Sequence, residues 1–170
     1  RFGLGTWGVD NSECLVSGGE QGYRLYDCAS RYENEELCGK ALKTVMEKVE
    51  RKNLYIISKV FFDQVEDVEK ACRKSIADLG VEYLDLYLIH WPVTIHLPAV
   101  KGEPFKNIKM PMYKVWAQME SLVEKGLVKS IGVSNFNVQL LWDMLSYAKI
   151  PPAANEVELH PLCPQPKLVK

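Results

Sequence analysis

Three short apolar runs in this chain each end in an ionisable residue: Tyr23-Arg24-Leu25-Tyr26-Asp27, Leu54-Tyr55-Ile56-Ile57-Ser58-Lys59 and Leu84-Asp85-Leu86-Tyr87-Leu88-Ile89-His90. Segments with helical periodicity lie between them, so the ionisable residues return at the spacing of a βα unit, about 30 residues. Few folds admit this rhythm. Strands joined by helices in this way run parallel in one sheet with right-handed crossovers. Asp27, Lys59 and His90 then emerge on the same rim, the end at which α/β barrels carry their chemistry.

Four helices follow from the apolar spacing. Residues 34–49 place Leu37, Cys38, Ala41, Leu42, Val45, Met46 and Val49 on one face. Residues 65–79 do the same with Val65, Val68, Ala71, Cys72, Ile76 and Leu79, and stop at Gly80, a good C-terminal cap. Residues 113–125 present Trp116, Met119, Leu122 and Val123 before Gly126. Residues 137–147 present Leu140, Leu141, Met144 and Leu145 behind Asn137, which suits an N-cap. Two further strands are predicted at 128–134 and 153–159, apolar enough to be covered on both faces.

Two stretches break the rhythm. Residues 92–111 carry Pro92, Pro98, Pro104 and Pro111 and are predicted to form an extended loop over the rim. Loops of this length inside compact domains are usually functional. Residues 11–21 make a poor helix, because Gly18 and Gly19 each cost about 1 kcal/mol there.

At 170 residues the chain is expected to form one domain over 1–170, with an ordinary globular composition of 47% hydrophobic and 25% charged residues. A net charge of −1 creates no field for nucleic acid or an anionic membrane, so neither is an expected partner. Five cysteines without a C-x-x-C pair suit a reducing compartment. No apolar stretch is long enough to span a bilayer. A cytoplasmic protein is the expectation, and the abrupt ends of the chain point to part of a longer one.

Tyr32 follows Asp27 by five residues. A phenol titrates near pH 10. An adjacent ammonium favours the phenolate, and a carboxylate beside that ammonium holds it in place. Asp27, Lys59 and Tyr32 on one rim therefore predict a phenol tuned downward to give a proton, with His90 orienting a carbonyl oxygen. Taken singly, an Asp at a strand end is usually a cap, and a lone Lys or Tyr is usually a surface residue. Their recurrence at equivalent strand ends is what favours chemistry.

Several stretches carry a family resemblance: Gly3-Leu4-Gly5-Thr6-Trp7, Tyr23 to Asp27 with Tyr32-Glu33-Asn34-Glu35, Ile57-Ser58-Lys59, Leu84 to Pro92, Gly126 to Asn137, and Asn155 to Pro161. In this order they resemble the aldo-keto reductases over essentially the whole chain. The resemblance implies an (β/α)8 TIM barrel, here incomplete with about six parallel strands, that reduces aldehydes and ketones without a metal. NADPH is the implied cofactor, with NADH open. Tyr32 would be the proton donor, Lys59 its neighbour, Asp27 the partner of Lys59, and His90 the group orienting the substrate carbonyl. Thr6, Trp7, Asp27, Ser134, Asn135 and Glu156 would contact the cofactor. Trp7, Tyr32, His90 and Trp91 would line the substrate site. A small carbonyl compound is the implied partner and a monomer the implied state.

Two departures stand out. The family usually has Gln where this chain has Glu156, and a carboxylate accepts hydrogen bonds but does not donate them. Barrels of this kind need about 250 residues, whereas this chain ends at Lys170, with 165–170 reading as the opening of another helix. Two other classes stay open: a non-catalytic cofactor-binding relative, as among the channel subunits and lens proteins of this fold, and an inactive shortened form.

Overall fold

The computed structural model describes residues 2–98, 100 and 102–169. Its centre is a parallel sheet whose strands, in spatial order, are β1 (Leu4–Gly5), β2 (Leu25–Asp27), β3 (Tyr55–Val60), β4 (Leu84–Ile89), β7 (Val128–Ser134) and β8 (Asn155–Glu156). Helices α1 (Ser12–Glu20), α2 (Glu35–Met46), α3 (Val68–Asp78), α4 (Met112–Glu124) and α5 (Val138–Tyr147) lie between successive strands. The alternation is that of a (β/α) barrel with six of its strands present.

Period-2 alternation divides each strand between two environments. One face carries Tyr26, Ile56, Tyr87, Ile89 and Val133, which join Leu15, Leu42, Cys72, Trp116 and Met119 of the helices in the main core. The other face carries Ile57, Leu86 and Leu88, packed with Leu25, Tyr55 and Ala154 in a separate inner cluster. Asp27 follows Leu25 by two residues, Lys59 follows Ile57 by two, and His90 follows Leu88 by two. All three ionisable residues thus crown the inner face. The opposite end of the sheet has a structural ion pair: buried Asp85 meets Arg51 at 2.8 Å and accepts a hydrogen bond from the Ile56 amide at 3.0 Å.

The helices agree with the sequence periodicity within a turn at each end. Asn137 accepts from the Leu140 amide at 2.9 Å, and Gly80 and Gly126 adopt the left-handed conformation that ends α3 and α4. Four expectations need correction. The poor helix at 11–21 forms as α1, capped by Asn11. Its glycines are there for proximity, since a Cβ on Gly18 would strike Leu4 and one on Gly19 would strike Tyr26 and Val45. The loop at 92–111 is not simply extended, because β5 (Ile95–His96) and β6 (Lys106–Asn107) form a small antiparallel hairpin. Ala99 and Lys101 of that loop lie outside the described residues.

The strand expected at 153–159 shortens to β8, which pairs with β7 alone. At the chain end, 165–169 makes a turn closed by Leu168 and Val169 amides on the Gln165 carbonyl rather than a helix. Gln165 precedes Pro166, which disfavours helical backbone, and it takes a positive φ of 44°. Lys170, part of the same expectation, lies outside the described residues.

At the crossing of α2 and α3, a Cβ on Gly39 would meet the Asp78 carbonyl and the Leu79 backbone. Main chain there cannot swing aside as a side chain can. Gly39→Ala is therefore expected to destabilise the fold by about 2–3 kcal/mol, read as a lower urea midpoint with an unchanged slope.

Candidate active site

Lys59 is the centre of the site. Its side chain is fully buried on β3, and its Nζ forms an ion pair with Asp27 Oδ1. The same nitrogen lies 3.2 Å from the Tyr32 hydroxyl, 3.2 Å from the Cys28 carbonyl oxygen and 3.2 Å from Glu156 Oε1. A buried ammonium without partners would cost several kcal/mol, so these oxygens are what permit a lysine here. Burial pulls the Lys59 pKa down, but the Asp27 and Glu156 carboxylates outweigh it and leave the value raised.

Tyr32 reaches Lys59 from the loop after β2. It ends a short 3-10 helix, Ser30–Tyr32, and Glu33 turns the chain away in a left-handed conformation. Ser30 Oγ sits 3.0 Å from the Lys59 carbonyl oxygen and 2.8 Å from Gln64 Oε1, fastening this helix to the end of β3. Gln64 Oε1 also accepts from the Phe61 amide at 3.0 Å. The Asn34 amide binds the Thr6 and Val9 carbonyls at 2.8 and 2.9 Å, holding the same loop to the one after β1.

His90 sits one residue beyond β4, with its ring edge-on to Tyr32 at 5.7 Å and edge-on to Phe61 at 5.5 Å. Burial, reinforced by the Lys59 charge, lowers its pKa to about 4, so the imidazole is neutral near pH 7. Nδ1 is buried without a hydrogen-bond partner among the described residues. An unbonded lone pair in that position is less costly than an unbonded N–H, which assigns the single hydrogen to Nε2, the nitrogen left to meet a ligand. Trp91 stacks nearly parallel to His90 at 6.4 Å, and Trp91 and Trp7 are 44% and 80% exposed along the same rim.

The other rim residues come from β7 and β8. Ser134 donates to the Glu156 carbonyl at 2.9 Å. Asn135, at a φ of 62°, donates its amide to the His90 carbonyl at 2.9 Å and to Ser134 Oγ at 3.1 Å. Its amide oxygen remains available as an acceptor. Asn155 braces the loop after β7 by binding the Phe136 backbone at 2.9 and 3.3 Å. Glu120 of α4 accepts from the Lys149 and Ile150 amides at 2.7 and 2.9 Å, fixing the approach to β8.

Glu156 also reports the shape of the sheet. β8 lies three strands from β3, about 14 Å away if the sheet were flat. A 3.2 Å contact between Glu156 and Lys59 requires the sheet to curl toward its own inner face. Below this rim, a cavity of about 980 Å³ lined by Leu25, Tyr55, Ile57 and Leu86 runs along the inner surface.

Two sequence expectations change. Thr6 has no exposed surface, and its hydroxyl donates to the Asp27 carbonyl at 2.9 Å, so its task is to hold β1 beside β2. The Tyr32 pKa is raised rather than lowered. Burial is the largest cause; Lys59 opposes it, and the Asp27 and Glu156 carboxylates add to it. Asn34, Asn155 and Glu120 act on backbone distant in sequence, and Gln64 on the distant Ser30 hydroxyl, so periodicity gives no means of finding these positioning residues. Among the described residues, no group of three or more His, Cys, Asp or Glu is arranged to hold a metal ion, and no helix is long and apolar enough to cross a membrane.

Residues 3–170 match the Aldo/keto reductase family. The chain belongs to that family. It is 41% identical to a probable NAD(P)H-dependent D-xylose reductase of Aspergillus flavus, over 99% of this chain and 58% of that protein. It is 44% identical to aldose reductase B of Dictyostelium discoideum, over 88% of this chain and 52% of that one. The aldose reductase structure from Giardia lamblia superposes with a TM-score of 0.90 at 39% identity, covering 99% of this chain and 60% of its own. The chain thus spans somewhat more than half the length of these relatives, and over that span it has the aldo/keto reductase fold.

Neutral His90 has a consequence for stability. An unfolded histidine takes a proton near pH 6.5, whereas the folded one waits until about pH 4, so acid favours the unfolded chain across that window. Stability is expected to fall by on the order of 2 kcal/mol between these limits from this residue. Urea titrations at several pH values should show that portion of the decline missing in His90→Gln.

Proposed function

We propose that the protein reduces aldehydes and ketones to alcohols with NAD(P)H. The observation that carries this reading is the Tyr32 hydroxyl 3.2 Å from the Lys59 ammonium, with neutral His90 beside it and Asp27 behind. The family match and the names of the relatives, which specify NAD(P)H-dependent reductases, support it.

The donor set suits a nicotinamide nucleotide. The Asn135 amide oxygen and Ser134 hydroxyl offer hydrogen-bonding groups for a carboxamide, and the partly exposed Asp27 carboxylate offers an acceptor for a ribose hydroxyl. When bound, such a cofactor supplies the hydride that forms the new C–H bond. Tyr32 gives its hydroxyl proton to the carbonyl oxygen as negative charge gathers there, completing the alcohol. Lys59 stabilises the phenolate left on Tyr32, and Asp27 keeps Lys59 in position. His90 donates from Nε2 to the same oxygen and orients it. Trp7 and Trp91 form an aromatic wall against the substrate body, while Thr6 acts indirectly through Asp27.

Open-chain aldoses are the first substrates to test, given the D-xylose named for the Aspergillus relatives. A monomer in the cytoplasm completes the reading, in keeping with the free cysteines Cys28, Cys38 and Cys72 buried in the core.

Tyr32→Phe removes the acid and little else. Reduction of a reactive aldehyde, followed by consumption of NADPH, is expected to drop about 10²-fold or more, with cofactor binding retained by nicotinamide fluorescence. An undiminished rate would assign the proton to another group. Cofactor binding without turnover in the parent protein would favour the non-catalytic alternative.

A further inference from the structure

The Lys59 ammonium has three hydrogens and four oxygens around it: Asp27 Oδ1, the Cys28 carbonyl, the Tyr32 hydroxyl and Glu156 Oε1. One acceptor must always share or wait. Cys28 is fixed by the backbone and Asp27 is the tightest partner, so the competition is between Tyr32 and Glu156. Charge adds to the imbalance, because one ammonium faces two carboxylates. The phenol therefore sits beside a group of net charge −1, and ionising it would add a second negative charge.

We propose that Glu156 is a positioning residue that, as a second carboxylate on Lys59, draws the ammonium away from Tyr32 and keeps the phenol in its proton-donating form. Among the described groups around Tyr32, burial and the Asp27 carboxylate act in the same direction, and Glu156 is the second carboxylate on Lys59. Asp27 comes from β2, Lys59 from β3, neutral His90 from β4 and Glu156 from β8. Arg31, next to Tyr32 in sequence, pairs with Glu33 at 2.6 Å and lies over the Phe61 ring. The raised Tyr32 pKa, to which Glu156 contributes, agrees with this arrangement. The consequence is directional. A site built this way holds its acid over a wider alkaline range in carbonyl reduction, and it disfavours the reverse reaction, which needs the phenolate as base.

This inference rests on the assignment of Tyr32 as the acid, but its test needs no turnover. The protein without cofactor is titrated with base while tyrosinate absorbance is followed. The Tyr32 component is the difference between each protein and its Tyr32→Phe counterpart, which removes the other seven of the eight tyrosines. Glu156→Gln is expected to raise the Tyr32 phenolate-to-phenol ratio about tenfold at a fixed alkaline pH, the effect of removing one partly screened charge. Glu156→Asp keeps the charge but withdraws it by one methylene, and should fall between parent and Gln. A Glu156→Gln titration that matches the parent overturns the proposal. Equal shifts for Asp and Gln overturn it too, since packing rather than charge would then be responsible. Should the Gln variant not fold, Glu156→Ala also removes the charge, and a titration of it that matches the parent has the same force. Loss of reductase activity in any of these proteins would not alter the titration, so the two readings fail separately.

Discussion

A buried ammonium ion is the constraint from which the rest of this rim follows. Lys59 has no access to solvent, so each of its hydrogens must find an oxygen within the protein. Asp27 supplies one from β2, Cys28 another from the turn after it, and Tyr32 and Glu156 compete for what remains. A charge that ties β2, β3 and β8 together dictates where those strands end. It also gives the curl of the sheet a local energetic reason, since Glu156 cannot reach Lys59 across a flat one.

The environment lowers the pKa of one of the three titrating groups and raises those of the other two. His90 is driven neutral by burial and by the same positive charge that Tyr32 borders. Lys59 stays charged because the carboxylates outweigh its burial. Tyr32 remains a protonated phenol, since burial, with the two carboxylates adding to it, outweighs what Lys59 offers. A neutral donor, a fixed cation and a protonated acid form a sensible set for meeting a carbonyl oxygen, which needs hydrogen bonding first and a proton later.

Asp27, Lys59 and His90 were legible in sequence because strand ends repeat at a fixed spacing, and a parallel sheet brings such ends together. The main helices were legible for a similar reason, because apolar periodicity is a local signal. Glu156 could be named as a rim residue, but its ion pair with Lys59 could not, since that depends on curvature accumulated over three strands. β1 carries no apolar run, and α1 was obscured by glycines whose purpose is close contact with Leu4, Tyr26 and Val45. The direction of the Tyr32 shift is not legible in sequence, because its largest cause is burial of the phenol and a second carboxylate reaches the ammonium only through the fold.

The back of β3 carries a polar cluster as well. Ser58, between Ile57 and Lys59, points away from the inner face and lies 2.6 Å from Glu35 Oε1, while Ser75 of α3 donates to the other carboxylate oxygen at 2.8 Å. A slip of β3 by one residue would drive the lysine head into the seam between α2 and α3 and leave the Glu35 carboxylate stranded. Alignment of this strand is thus checked from both sides at adjacent residues. Placement of the rim side chains and correct seating of two helices become a single requirement, so mutations in that outer seam stand to disturb the proton delivery proposed for Tyr32.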